Sequence, residues 1–458
     1  MNRLSPLSIP ALFLLLLTAL PGPSPGLFAA SLRHVASSLE LFYDRIAVAE
    51  PIFSCQNEGA VRLAVMADVH YLSADLVEEG PALESYEKAT GRDVNDLHEV
   101  LDVVLADLVK ERVEVLLVVG DLTNHGERQS HLDITKKLQP LVESGIRVFV
   151  VPGNHDVNIP NARAYVGETP SPVSSISAEE FAEIYAPFGY GNAFTTDDAS
   201  LSYLSAINDT TWLLAFDTNR YDEHADRPIT AGRIRPQTME WALNILDKAR
   251  KDNITVLGMM HHGLVEHMPY QSDLFSAYLM EEWERQADRL ADAGLKVVFT
   301  GHFHSNDVSR RVSTAGNRIY DVETASLAQY PFAYRIMELK EGQLSIDSRF
   351  VTSIPSNPNL KAEYRERMKT IARRVARGRI EGMGLPMPEE TLDALVDLIA
   401  GMSVMHARGD EKPDEEMREA IGLFAALLGG EADMDSFTFD FPPEDNRLVI
   451  NLKKDKNE

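Results

Sequence analysis

Five times along the chain a short apolar run stops abruptly at small, polar residues. Leu63-Ala64-Val65-Met66-Ala67 runs into Asp68-Val69-His70, and 115–119 (VLLVV) runs into Gly120-Asp121. Val148-Phe149-Val150-Val151 reaches Gly153-Asn154-His155-Asp156 after one residue, and Val297-Val298-Phe299 likewise reaches Gly301-His302-Phe303-His304. A more mixed run at 254–260 leads into His261-His262-Gly263. Apolar, β-branched runs of this length read as strands buried on both faces, delivering polar side chains at their carboxyl ends. Between them, Val and Leu at helical spacing predict a helix over 94–110. Arg235-Pro236 opens another over 237–251, with Pro in the permitted first turn, and a third is expected over 275–293. Alternating runs at 318–323, 333–339 and 344–351 follow. The pattern predicts an α/β fold, a two-sheet αββα sandwich over 59–353.

Two insertions interrupt it. An acidic one spans 72–92, and a loop-rich one spans 158–177, where Pro160, Pro170 and Pro172 forbid a long helix. The second follows Asn154-His155 directly, so both are expected to form a rim above those residues. The pattern shifts at Ile354-Pro355-Ser356-Asn357-Pro358. Beyond it, 354–458 reads as a small helical domain with helices at 360–377, 389–405 and 414–428, a strand pair within 437–452, and a charged tail. Leu392, Leu395, Val396 and Ile399 give it one apolar face. No catalytic constellation appears there, so a packed appendage is expected, with a lid or dimerisation role as the alternative.

At the other end, Arg3, the Leu-rich stretch 11–20, the helix-breaking 21–26 and Phe28-Ala29-Ala30-Ser31 read as an export signal over 1–30. A helix or linker at 31–58 follows. The apolar stretch is shorter than the about 20 residues a membrane span needs, so a secreted or periplasmic protein without a stable span is expected, with an uncleaved anchor as the alternative. Cys55 is the only cysteine, so no internal disulfide forms. The formal charge of −26 over 458 residues argues against a nucleic-acid polymer as partner, because such binding relies on Lys and Arg neutralising phosphates.

The five polar blocks carry the chemistry. Carboxylates, an amide and imidazoles brought to one sheet edge place donors where α/β folds bind ligands. Oxygen and nitrogen donors without thiolate suit Mn, Fe or Zn. A lone His is more often a satisfied buried residue, and a lone strand-end Asp is often a helix cap. Yet nine of the 13 histidines fall in or near these blocks, and their joint order points to a dinuclear metal site. For His131, His262 and His267 the expectation is a supporting or surface position.

In that order, Asp-x-His, Gly-Asp, Gly-Asn-His-Asp, His and Gly-His-x-His, the blocks resemble those of the calcineurin-like metallophosphoesterases, over about 61–351. The resemblance implies that Asp68, His70, Asp121 and His304 hold one metal ion. It gives Asp121, Asn154, His261 and His302 to a second, with Asp121 bridging. His261 is chosen over His262 because the family's ligand immediately follows the strand. His155 is then the group that gives a proton or hydrogen bond to the leaving oxygen. Two divalent ions, or a mixed Fe/Mn/Zn pair, would activate water for in-line attack on a small phosphoester.

Within the superfamily, Asn124 and His125 stand where phosphoprotein phosphatases carry Asp and Arg. His cannot match the guanidinium fork that grips a doubly charged monoester. This departure, with the export signal and helical C-terminus, resembles the secreted bacterial class III cyclic-nucleotide phosphodiesterases. A phosphodiesterase is expected, with Asn124, His125 and His262 lining the substrate space. The alternatives are a phosphomonoesterase or nucleotidase on the same site and, with every matching position intact, less readily a binding protein that retains the fold.

Overall fold

The computed structural model describes residues 59–269, 271–382, 387–427 and 443–453. The expected export signal and the segment 31–58 lie outside the described residues.

The first sheet is built on β1 (Ala60–Met66), β2 (Val115–Val119) and β3 (Arg147–Val151), all parallel. The second contains β4 (Tyr203–Asn208), β5 (Thr211–Ala215), β6 (Thr255–Met259), β7 (Val297–Thr300), β8 (Val308–Val312) and β9 (Arg318–Glu323). The chain then returns to the first sheet through β10 (Ala333–Lys340) and β11 (Gln343–Phe350), and β12 (Arg447–Asn451) adds to its edge. The orders are β12-β11-β10-β1-β2-β3 and β8-β9-β7-β6-β5-β4, the latter extended by the edge pair Thr195–Thr196. In the second sheet β5, β6, β7 and β9 are parallel neighbours.

Each central strand is buried on both faces, which is why its sequence is a continuous apolar run. Val115, Leu117 and Val119 point into the layer between the sheets, against Leu257, Met259, Val297 and Phe299. Leu116 and Val118 point outward to α2 (Val94–Lys110) and α3 (Arg128–Glu143), where Val104, Leu108, Ile134 and Leu138 cover them. On the other side α5 (Pro236–Lys251) and α6 (Trp283–Asp292) cover Leu214, Val256 and Val298. The architecture is the expected two-sheet sandwich with helices on both outer faces.

Three local features differ from the expected pattern. The helix expected over 275–293 begins only at Trp283, because Phe275 and Tyr278 turn inward to pack on Phe303. The acidic insertion holds a helix, α1 (Pro81–Thr90), with Pro at its start. The loop-rich insertion holds a two-residue hairpin, Arg163–Ala164 against Ser171–Pro172, and is followed by α4 (Ala178–Ile184), closed by a Ser177–Glu180 capping box.

The C-terminal helices α7 (Leu360–Gly382), α8 (Glu389–His406) and α9 (Glu415–Leu427) occupy the three expected segments. They pack on the sandwich. Ala376, Ile380, Leu395, Val396 and Ile399 share one apolar cluster with Met268, Phe275 and Phe303 of the motif-bearing half. Tyr364 anchors α7 to α2 through Asp96 Oδ2 at 3.1 Å and packs edge-on against Phe332. Among the described residues no helix is long and apolar enough to cross a membrane.

Candidate metal centre

The parallel strands of both sheets end at one rim, where they leave their polar blocks. Asp68 and His70 follow β1, Asp121 follows β2, and Asn154 and His155 follow β3. His261 follows β6, and His302 and His304 follow β7. Asp68, His70, Asp121, His302 and His304 hold left-handed backbone, with φ of 50°, 44°, 48°, 74° and 63°. Such conformations cost non-glycine residues about 1–3 kcal/mol each and persist where the surroundings impose them.

The motif glycines explain part of that imposition. A Cβ on Gly153 would lie 2.1 Å from Asp121 Oδ1, one on Gly301 would lie 2.4 Å from Asp68 Oδ2, and one on Gly120 would lie 2.4 Å from the His261 ring. Each glycine leaves the space that a neighbouring block's donor side chain fills.

Two donor groups result. Asp68, His70, Asp121 and His304 place one ligand atom each within 4.8 Å of one another, and so do Asp121, His261 and His302. Asn154 joins the second group, with Oδ1 3.1 Å from His261 Nε2. Asp121 belongs to both. Its Oδ2 lies 3.6 Å from His70 Nε2 and its Oδ1 lies 3.4 Å from His261 Nε2. His70 and His304 face each other Nε2 to Nε2 at 3.3 Å, with Asp68 Oδ1 3.1 Å from His304 Nε2. Ring nitrogens and carboxylate oxygens converging at such distances, all but His304 deeply buried, are the donor set that divalent ions of the Mn, Fe or Zn kind take. The seven residues fit the two-ion centre that their order in the sequence suggests.

The ligand atoms are oriented from behind. His261 Nδ1 donates to the Val119 carbonyl at 2.9 Å, which turns Nε2 toward Asp121. His302 is held at its other nitrogen by the Ala277 carbonyl at 3.2 Å. Asp156 ties the β2 and β3 loops together, accepting from the backbone of Leu122, Thr123 and Gly153 and from the Thr123 hydroxyl. Burial, with Asp121 nearby, pushes the Asp156 carboxyl up to about 7 against the three backbone donors.

His155 borders the cavity above the donors. Its Nδ1 donates to the Asn124 carbonyl at 2.9 Å and lies 3.0 Å from His125 Nδ1. The remaining nitrogen, Nε2, is left for a bound group. His125 is completed by Asn161, whose Oδ1 lies 2.8 Å from His125 Nε2. Burial, and then His155, brings His125 down to about 4, so it is a neutral support.

Asn124, His125 and His262 were expected to line the substrate space, and none of them borders the cavity. The Asn124 side chain is held by Tyr86 and Glu127. His262 lies behind His261 and His302, against the Thr218 hydroxyl and the Thr230 carbonyl, and burial keeps it neutral, down to about 3. Neither His131 nor His267 is at the surface. His131 bonds Tyr185 and the Asp156 carbonyl, whereas His267 joins a buried acidic cluster away from the rim.

The cavity, about 540 Å³, takes its walls from elsewhere. The end of α1 and the residues after it bring Ala89, Thr90, Gly91 and Arg92, so the first insertion does reach the site. Residues of 158–177 do not border it. Met268, Phe275, Tyr278, Phe303 and Tyr330 form an apolar side, which Met368, Ile371 and Met402 of α7 and α8 continue. The sequence offered one signal for Arg92: it is a cation at the very end of an acidic insertion that follows a ligand block.

The family model described as calcineurin-like phosphoesterase matches residues 61–306, more than half of the chain. Among curated proteins no sequence relative matches. Solved structures resemble it distantly. A dimetal phosphatase from Danio rerio is 14% identical, with a TM-score of 0.45 over 64% of this chain and 97% of that one. A putative 5'-nucleotidase from Staphylococcus aureus is 12% identical, with a TM-score of 0.38 over 68% and 59%. A purple acid phosphatase from yellow lupin seeds is 13% identical, with a TM-score of 0.40 over 64% and 52%. The chain thus spans little more than half of the latter two. With the ordered blocks from β1 to β7 inside the matched segment, the chain belongs to the calcineurin-like phosphoesterase family.

Proposed function

We propose that the protein is a dinuclear-metal-dependent phosphoester hydrolase acting on a small phosphodiester, of which a cyclic nucleotide is one example. The observation that carries the metal-dependent reading is Asp121, whose two oxygens face separate donor groups. When bound, the two ions supply activated water and neutralise phosphoryl charge.

The chain's own residues do the rest. Asp68, His70, Asp121 and His304 hold one ion, and Asp121, Asn154, His261 and His302 the other. The His155 side chain, fixed through Nδ1 by Asn124, presents Nε2 to the leaving oxygen and gives it a proton or hydrogen bond. Arg92 adds a positive charge beside His70 and His155. The apolar side, from Phe275 and Tyr278 to Met368 and Met402, takes the substrate's organic arms and limits water. A diester has two such arms, which suit the extended apolar wall.

Arg92 favours a second reading. The expectation of a diester rests on the missing Arg beside Asp121, and here the cavity is bordered by Arg92, just beyond α1, and by Arg367 and Arg374 of α7. On that reading a monoester dianion is the substrate. The test is kcat/KM on mono- and diester pairs that share one leaving group, for wild type and Arg92→Ala. A diester preference that Arg92→Ala leaves largely unchanged supports the diester reading. A monoester preference that collapses in Arg92→Ala overturns it.

A further inference from the structure

A second meeting of imidazoles and carboxylates lies where α8 ends against the loop after β7. Asp307 comes three residues after His304, His406 is the last residue of α8, and Glu411 follows in the next turn. Each offers a ligand atom within 4.8 Å of the other two. Asp307 is fully buried, and the Glu411 side chain is 1% exposed. His406 Nδ1 lies 2.5 Å from Glu411 Oε1. The outward-facing needs of the group are not met: Asp307 Oδ2, Glu411 Oε2, His406 Nε2 and the neighbouring Glu323 Oε2 are buried with no hydrogen-bond partner. A buried carboxylate oxygen in that state is costly unless a cation satisfies it.

The surrounding charge makes the same demand. Asp307, Asp321, Glu323, Glu411 and Asp445 are all buried. The cations among them are Arg335, His267 and His406. His267 Nδ1 meets Asp307 Oδ1 at 2.6 Å, and its Nε2 lies 3.2 Å from Asp321 Oδ2 and 3.4 Å from Glu323 Oε2. Arg335 spends its N–H groups on Thr324 and Ser348 hydroxyls and on the carbonyls of Asp307, Glu323 and Asp445. Even with both imidazoles protonated, five carboxylates leave the cluster two positive charges short. Without an added cation that shortfall is met by two protons, since burial and neighbouring carboxylates push Asp445 up to about 9 and burial outweighs His267 in pushing Glu323 up to about 8; a dication would take their place.

We propose that Asp307, His406 and Glu411 hold a third divalent cation, which pins the end of α8 to the loop that carries His302 and His304. Two carboxylates with one imidazole suit a transition ion such as Zn²⁺ or Mn²⁺ better than Ca²⁺, which takes oxygen donors. Glu323 lies alongside, its Oε1 held by Ser305 and its Oε2 facing His267. Because Ser305, His406 and Ala407 border the cavity, this ion is a clasp between the catalytic sandwich and its helical cover.

The test compares metal content of the full chain, loaded with Zn²⁺ or Mn²⁺ and dialysed, in wild type and Glu411→Gln. The glutamine keeps an oxygen for His406 Nδ1 and removes the charge. Wild type is expected to hold one equivalent more than Glu411→Gln, and the same one-equivalent difference is expected when both carry Asp121→Asn, which separates this ion from the rim pair. Equal metal content in both backgrounds overturns the proposal. Wild-type crystals grown with Zn²⁺ give a check that does not depend on the variant folding. An anomalous peak between Asp307, His406 and Glu411 is expected there, and its absence overturns the proposal as well.

Discussion

At the rim, five of the donor-bearing residues hold left-handed backbone, whereas none of Asp307, His406 and Glu411 does. The rim donors sit on tight turns at the carboxyl ends of buried parallel strands. The loops bend sharply there, and the strain is offset by the packing beneath. The α8 cluster is assembled from a helix end, the turn after it and a loop distant in sequence, and its left-handed residues, Gly409 and Asp410, lie beside the donors rather than on them. The comparison teaches that the first site is written into single loops, and the second only into the docking of helices on the sandwich. It also separates roles. The rim should govern turnover, and the cover formed by α7 and α8 should govern what is held beneath it.

The sharpest way to break that division is His155→Ala. Loss of a positioned proton donor costs about 10²–10⁴-fold, and the loss should be greater on alkyl than on nitrophenyl phosphoesters, because a good leaving group departs unprotonated. Equal losses on both substrates would leave His155 as a phosphate-binding group. Next comes Gly153→Ala. Its methyl would sit 2.1 Å from Asp121 Oδ1, so kcat and metal content should fall together, kcat by about 10²-fold, as displacements near 1 Å can cost. Unchanged metal content there would detach the glycine from the donor geometry. The smallest expected effect is on the cover. Met368→Ala, which trims the apolar wall, should raise KM for substrates with a bulky ester arm by about tenfold while kcat changes little. A fall in kcat with constant KM would place α7 in the chemistry instead.

What the sequence made legible follows the same line. β1, β2, β3 and β7 announce themselves, because a strand covered on both faces must be apolar throughout. The donor blocks stand out because each follows its strand by one to five residues. The strands β4, β5 and β8 are harder to see: β8 reads Val-Ser-Arg-Arg-Val at the edge of its sheet, with little apolar patterning. Apart from the first insertion, the cavity walls were not legible. Tyr278, Met368 and Met402 are ordinary apolar residues in their own segments and become walls only when α7 and α8 dock. Asn124 and His125 looked like substrate contacts because they adjoin Asp121 in sequence, but the turn carries them behind His155. The buried position of His267 had one local trace. Asp321 and Glu323 lie two apart in a strand, on one face, and an acidic face on a buried strand calls for a cation beside it.

The central claim is that Asp121 joins two metal ions into one centre, and Asp121→Asn tests it most directly. Metal content and kcat/KM should be measured together on the purified, reconstituted chain. The amide removes the shared charge, so both rim ions should be lost or weakened and turnover should fall with them. An Asp121→Asn protein that keeps both rim ions and near wild-type turnover would contradict the account.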